Sequence, residues 1–522
     1  MFHFIFVFLS FFNILKANDK LIFVMIHFRH GARTSASLGP FDSFGEKWEY
    51  SSELTGVGKR MLYILGLRNR IKYIKDRKLL SEKYKPEEIK VYSSELSRTV
   101  ISAFSFLQGL YPQNEKLGDD LTEVQLKMSN PPININFTTI NDEIKELQNY
   151  SLPNCMTIVP LETIDTKTHI NLYKINDCRP IEKNINLLQS EDSILLTKEF
   201  NEKFGKNLND FNGTNSYNYT FSNISILCDS LIVSYIDGRN MTSLRNTGIN
   251  LEELYNCCLK AMEIQFRERY IRNNEILFSQ GSKMMDFIIN HIKKSIDDDI
   301  KNDINNNINN TINNTINNTS NNSQRSSSRN AKSPKMLIIS GHDTSISSQE
   351  LFLIFALNLN ISFFRYPSFA SQIALEITKN DEKNNKNYSD YFVNYYFNDE
   401  HLFNISADLF FKKIEPNIWS DEKINLFCDS NYSNNSYDNN TTNNNTNNNN
   451  SRDDIEEEKN IHKLIFSKKD NDRHMAFLIV FISLFAVSFV INLILALFLL
   501  KKNIVIPPPK RHIPVTESTT KL

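Results

Sequence analysis

Leu21–Phe28 reads LIFVMIHF and runs directly into Arg29-His30-Gly31-Ala32-Arg33-Thr34. A continuous apolar run of strand length, stopped by charge and glycine, fits a β-strand buried on both faces. Two later stretches repeat the pattern. Ile89–Tyr92 leads into Ser93-Ser94-Glu95-Leu96-Ser97-Arg98, and Met336–Ser340 (MLIIS) leads into Gly341-His342-Asp343. Helical spacing follows each run. It shows in Met61, Leu62, Ile64, Leu65, Leu67 and Ile71 within Leu54–Ile74, then over Arg98–Leu110, then over Ser345–Leu357. Strands that alternate with helices predict an α/β sheet. Ser371–Thr378 and Tyr391–Phe397 alternate and are rich in β-formers, which predicts a terminal strand pair. Residues 113–297 lack the alternation and read as mainly helical. The expected fold is therefore α/β: a mixed, largely parallel central sheet flanked by helices, with a smaller, mainly helical cap domain and a single C-terminal transmembrane helix.

Two tracts stand apart from that core. Residues 298–329 contain NDINNNINNTINNTINNTSNN followed by SQRSSSR, and residues 429–474 are Asn-rich and then charged. Such composition buries too little apolar surface to offset chain entropy. The first tract reads as a disordered insertion and the second as a stalk. The α/β core is then 18–112 together with 330–428.

Residues 1–17 open with MFHFIFVFLSFFNIL and read as a signal peptide cut after Ala17. Met475–Leu500 is 26 residues without a charge, where about 20 suffice to cross a bilayer. Lys501, Lys502, Lys510 and Arg511 place the tail, residues 501–522, in the cytosol. The expectation is a single-pass type I membrane protein with a lumenal or extracellular catalytic domain, in lysosomes or endosomes or at the cell surface. Nine Asn-X-Ser/Thr triplets outside the Asn-rich tracts, from Asn136 to Asn404, agree with a glycoprotein. Cys155, Cys178, Cys228, Cys257, Cys258 and Cys428 all lie in the proposed ectodomain, which fits an oxidising compartment and up to three disulfides.

Lys and Arg number 59 against 60 Asp and Glu, a net charge of −1. That balance argues against a nucleic-acid partner, which would need a basic excess or face.

The chemistry sits where the apolar runs end. Ligands of open α/β sheets bind outside the carboxyl ends of the strands. Those positions hold Arg29, His30, Gly31, Arg33, Arg98, His342 and Asp343. Arginine forks suit phosphate oxygens, and Gly31 permits close backbone approach at a loop whose N–H groups suit an anion. A neutral imidazole can attack phosphorus and become a phosphohistidine. The guanidinium groups neutralise charge on the transferring phosphoryl group, and Asp343 is available to protonate the leaving alkoxide. His27 and His30 stand at i, i+3, but arginines beside His30 would repel a cation, so neither a metal nor another cofactor is expected.

These stretches resemble the histidine acid phosphatases, the branch of the histidine phosphatase superfamily that includes the prostatic and lysosomal acid phosphatases. The resemblance shows in LIFVMIHFRHGART, LTGVGKRMLYILGLRNR, VYSSELSRTVISAFSFLQGLYP, SGHDTSI and YFVNYYFNDE, and is weak between residues 113 and 290. It implies His30 as nucleophile, Arg29, Arg33, Arg98 and His342 as phosphate ligands, and Asp343 as proton donor. It also implies a Cys178–Cys428 disulfide. The chain departs from the family at Ser35, where a proline is usual, and near Gln372, where a family cysteine is replaced. Cys228 thus lacks its expected partner, and Cys257 or Cys258 could serve, leaving Cys155 for the other. The implied activity is a membrane-anchored acid phosphatase acting on phosphate monoesters, with a homodimer left open. An acidic optimum is expected, because Asp343 must carry a proton to donate it. Two other readings stay open: an inactive surface glycoprotein that binds through the same fold, and a specialised lysophospholipid or inositol-phosphate phosphatase.

Overall fold

The structure is a computed structural model, and it describes residues 19–36, 48–113, 121–129, 145, 147–164, 178, 190–213, 218–271, 274–315, 333–380 and 387–429. The segments expected to be a signal peptide, a transmembrane helix and a cytosolic tail, and nearly all of the expected stalk, lie outside the described residues. No helix among the described residues is long and apolar enough to cross a membrane.

Strand β1 is Asp19–Arg29 and is followed by helix α1, Gly56–Arg70. Strand β2 is Ile89–Ser94 and leads into α2, Ser97–Leu110. A short strand β3, Glu162–Ile164, precedes the helical segment: α3 (Glu191–Phe200), α4 (Phe221–Ile236), α5 (Leu251–Ile271) and α6 (Asn274–Thr315). Strand β4, Met336–Gly341, then leads into α7, Asp343–Ala356. Strands β5 (Gln372–Asn380), β6 (Tyr391–Phe397) and β7 (Glu400–Ser406) precede α8 (Ala407–Ile414) and α9 (Asp421–Asp429).

The sheet order is β3-β2-β4-β1-β5-β6-β7. From Phe23 to Phe28, β1 alternates its faces. Val24, Ile26 and Phe28 join the apolar cluster that contains Leu62 of α1 and Phe106 of α2. Phe23 and Met25 join the opposite cluster with Ile288 of α6 and Phe352 of α7. That division makes a three-layer sandwich with β1 and β4 at its centre, which is why both read as unbroken apolar runs.

The sheet is mixed but not largely parallel. β3–β2, β2–β4 and β4–β1 run parallel, whereas β1–β5, β5–β6 and β6–β7 run antiparallel. The expected terminal pair is a three-strand meander. Asn398 and Asp399 connect β6 to β7 with φ of 47° and 68°. Two successive residues with positive φ form the turn whose twist matches a hairpin. An Asn-Asp turn is a weaker signal than Asn-Gly, and β7 went unread for that reason.

Two boundaries also move. Residues 274–297, assigned to the cap from sequence, pack on the sheet: the Phe287 ring meets Tyr92 of β2 at 5.2 Å. Lys379 of β5 is paired with Asp299 at 2.7 Å and Asp303 at 2.6 Å. Helix α6 then continues to Thr315, into the tract expected to be disordered from residue 298. The tract keeps Ile304, Ile308 and Ile312 four apart, a helical period hidden by its asparagines. The helical segment shares a continuous apolar cluster with one sheet face instead of forming a separate core.

Cys178 and Cys428 form one disulfide, and Cys228 pairs with Cys258 to join α4 to α5. Cys155 and Cys257 are free thiols, so the described residues hold two disulfides and not three. Cys258 is fully buried, and Cys257, about 100° further round the helix, is turned away from α4.

Helices α1 and α2 cross at glycines. A Cβ on Gly66 would lie 2.0 Å from the carbonyl oxygen of Phe106, and one on Gly109 would lie 2.0 Å from that of Tyr63. Backbone cannot yield as a flexible side chain can, so Gly66→Ala is expected to destabilise the fold by about 1–3 kcal/mol. Denaturant unfolding with an unchanged midpoint would show that the helices do not meet this closely.

Candidate active site

Parallel pairing of β4 with both β1 and β2 brings three carboxyl ends side by side. Arg29 is in register with Gly341, and Ser93 with Ser340. One step beyond the strand, the His30 N–H donates to the Gly341 carbonyl at 3.0 Å. The loops that follow therefore leave the sheet at one level, and the residues singled out from sequence converge there. The His30 and His342 rings are 5.3 Å apart between centroids. Arg29 Nη2 lies 2.6 Å from Asp343 Oδ2. Arg98, in the first turn of α2, is near enough for its charge to act on both imidazoles.

Each group is held by neighbours. Arg29 is 2% exposed. Its Nη1 donates to Tyr366 Oη at 3.1 Å and to the Pro367 carbonyl at 2.9 Å, and its guanidinium centre lies 4.1 Å from the Phe369 ring centroid. The His30 ring nitrogen Nδ1 lies 2.9 Å from the Gly31 carbonyl oxygen, which can only accept, so Nδ1 carries the proton. The lone pair of the neutral ring is thereby left on Nε2. Arg33 forks onto Asp229 of α4, with Nη2–Oδ1 at 2.7 Å and Nη1–Oδ2 at 3.2 Å. Ser35 meets Ser230 of α4 at 2.9 Å. His342 Nε2 is 2.9 Å from Ser94 Oγ, at the end of β2. Asp343 Oδ1 accepts the Thr344 N–H at 2.8 Å.

Burial and positive charge act together on the imidazoles. His30 is pushed well below the usual histidine range, first by burial, then by His342, Arg29, Arg98 and Arg33. His342 is pushed down by burial first, and then by Arg98, Arg29 and Arg33. Both rings are neutral at neutral and mildly acidic pH. Arg29 is held protonated, since Asp343 and the other charges near it outweigh its burial.

Two expectations about the loop need correction. The close approach permitted by Gly31 is made by protein backbone: a Cβ there would lie 2.3 Å from the Gly58 carbonyl oxygen. Its N–H groups are engaged as well. Arg33 bridges Leu54, the Gly31 N–H donates to Ser102 Oγ at 3.1 Å, and the Thr34 N–H to the Glu53 carbonyl at 2.8 Å. Those N–H groups are spent within the protein, so anion binding falls to side chains. His27 does not pair with His30. Its Nδ1 meets Gln349 Oε1 at 2.6 Å and its Nε2 meets Ser345 Oγ at 3.1 Å, both on α7. Among the described residues, no three His, Cys, Asp or Glu side chains gather as a metal-ligand set.

Sequence reasoning missed Ser94, Asp229, Tyr366 and Phe369. Ser94 stands inside the quoted strand end and could have been found there. The other three sit in segments without a strand-end pattern.

Buried His27 stays neutral down to about pH 4, against an ordinary value of 6.5, because burial outweighs its bond to Gln349. An unfolded chain takes up that proton below 6.5, so stability is lost as pH falls through this window and is unaffected above it. In His27→Gln, the fall in unfolding free energy from pH 7 to about pH 4.5 should shrink by roughly 2–3 kcal/mol. Guanidinium titrations at the two pH values measure this, and an equal fall in both proteins would place the acid sensitivity elsewhere.

Comparison with known proteins adds local matches. The chain is 39% identical over 99 residues to a Caenorhabditis elegans protein named as an acid phosphatase, covering 18% of this chain and 22% of that protein. It is 36% identical over 111 residues to human prostatic acid phosphatase (20% and 28%). With the Xenopus laevis lysosomal acid phosphatase it shares 30% identity over 162 residues (30% and 35%). It thus spans about a third or less of the length of these relatives. A phytase structure from Citrobacter braakii aligns over 72% of this chain and 85% of its own, at 16% identity and a TM-score of 0.45. The sequence profile of the histidine phosphatase superfamily (branch 2) matches residues 20–398, most of the chain, and this protein belongs to that family.

Proposed function

We propose that this protein hydrolyses phosphate monoesters through a phosphohistidine formed on His30. The observation that carries the reading is the committed tautomer of that ring: Nδ1–H is held by the Gly31 carbonyl, which leaves the lone pair on Nε2. Burial, His342 and the surrounding guanidinium groups push the ring well below the usual histidine range, which favours its unprotonated, nucleophilic form.

In the first step the Nε2 lone pair forms the P–N bond while the ester P–O bond breaks. Asp343 gives its proton to the departing alkoxide oxygen. Arg29, Arg33, Arg98 and His342 hold the phosphoryl oxygens, where charge builds between nucleophile and leaving group. In the second step Asp343 takes a proton from water, the hydroxide oxygen bonds phosphorus, and the P–N bond breaks to return His30. Asp343 is suited to both steps because it is tethered to Arg29 yet its side chain is 17% exposed, within reach of solvent. The apolar segment Met475–Leu500 and the signal-like residues 1–17 support an ectodomain tethered at a lumenal or outer membrane surface.

Assayed as the full-length chain on p-nitrophenyl phosphate, activity should be higher at acidic than at neutral pH and unchanged by chelators. His30→Ala should leave no turnover above background. Asp343→Asn should lower kcat by about 10²–10⁴-fold on an alkyl monoester and by less on the nitrophenyl ester, whose leaving group needs little protonation. Rapid alkaline quench with labelled substrate, which preserves a P–N bond, that yields no labelled His30 would sink the mechanism.

A further inference from the structure

Each arginine of the Arg29–Arg33 pair faces its own carboxylate. Asp343 takes Arg29, and it has a task in the proposed reaction. Asp229 takes both terminal nitrogens of Arg33 and has none. It comes from α4, far in sequence from every strand-end motif. Its side chain is 21% exposed, against 9% for Arg33, so it lies at the solvent side of the pair. Its charge reaches inward, acting on Arg29 and on the Tyr366 hydroxyl. The neighbouring Ser230 is tied to Ser35, which fixes this part of α4 against the loop that carries Arg33.

A bidentate carboxylate on a guanidinium fork uses the same two nitrogens that a phosphate would use. A phosphate that reaches Arg33 must share the fork with Asp229 or displace it, and every further negative charge on the ligand meets the Asp229 charge as well. We propose that Asp229 is a specificity-determining residue: by competing for Arg33 and lowering the positive charge of the pocket, it admits a single phosphate ester and disfavours substrates that bear additional anionic groups. This rests on the phosphatase reading above and adds the class of ester that the site accepts.

Asp229→Asn keeps the size and one acceptor but removes the charge. In the full-length chain, calorimetric affinity for orthophosphate should tighten by about tenfold, and affinity for tripolyphosphate by more. The kcat/KM for a monoester with a second phosphate should rise relative to one without. Asp229→Glu, which restores the charge, should restore the original preference, an outcome that a merely structural role would not produce. Should the Asn variant fold poorly, Asp229→Ser is read in the same way. A folded neutral variant that binds both anions as the parent does would overturn the proposal. Anion affinities that shift as expected, in a chain that turns over no ester, would instead overturn the phosphatase reading and leave the role of Asp229 standing.

Discussion

The parallel pairing of β1 with β4 is the contact on which the site depends. Val24 to Arg29 lie in register with Met336 to Gly341, and the His30 N–H extends that ladder to the Gly341 carbonyl. A shift of one residue would turn every side chain of β1 to the opposite face. It would put Phe23 and Met25 where α1 and α2 expect Val24 and Ile26, and it would part Arg29 from Asp343. The register is therefore enforced by two apolar layers at once, and the reactive groups inherit precision from packing in which they take little part.

Around that contact the protein concentrates charge in a place poor in water. Arg29 and His342 are almost fully buried, and His30 with them. Buried guanidinium groups are costly unless they are paired, and here the pairs come from different parts of the fold: Asp343 from the start of α7, Asp229 from α4, Tyr366 and Pro367 from the segment before β5. The imidazoles are handled in the opposite way. Burial beside arginines pushes them toward the uncharged form. Guanidinium kept charged next to imidazole kept uncharged is the division that phosphoryl transfer to nitrogen needs.

The helical segment contributes more than a lid would. Asp229 and Ser230 reach Arg33 and Ser35, Tyr270 places its hydroxyl 3.4 Å from the Thr344 carbonyl, and the Cys228–Cys258 disulfide fastens α4 to α5 behind them. Helix α6 then carries the chain back across the sheet. The apolar cluster passes without a break from these helices to β1, β4 and β5. The segment that resembles the family least thus sets the charge around Arg33.

Residues 21–34, 89–98 and 336–343 were sufficient, as sequence, to place three strands and to single out six candidate residues that the fold gathers at one end of the sheet. An apolar run buried on both faces followed by charge is a local pattern that the chain cannot hide. The half-antiparallel sheet, the third meander strand, the assignment of α6 to the sheet and the choice of Cys258 over Cys257 were settled by contacts between segments far apart in the chain. The same holds for Asp229, Tyr366 and Phe369. A strand end announces itself through its own neighbours, whereas the partner of a buried charge is decided by whatever the fold packs against it, and that depends on distance in space alone.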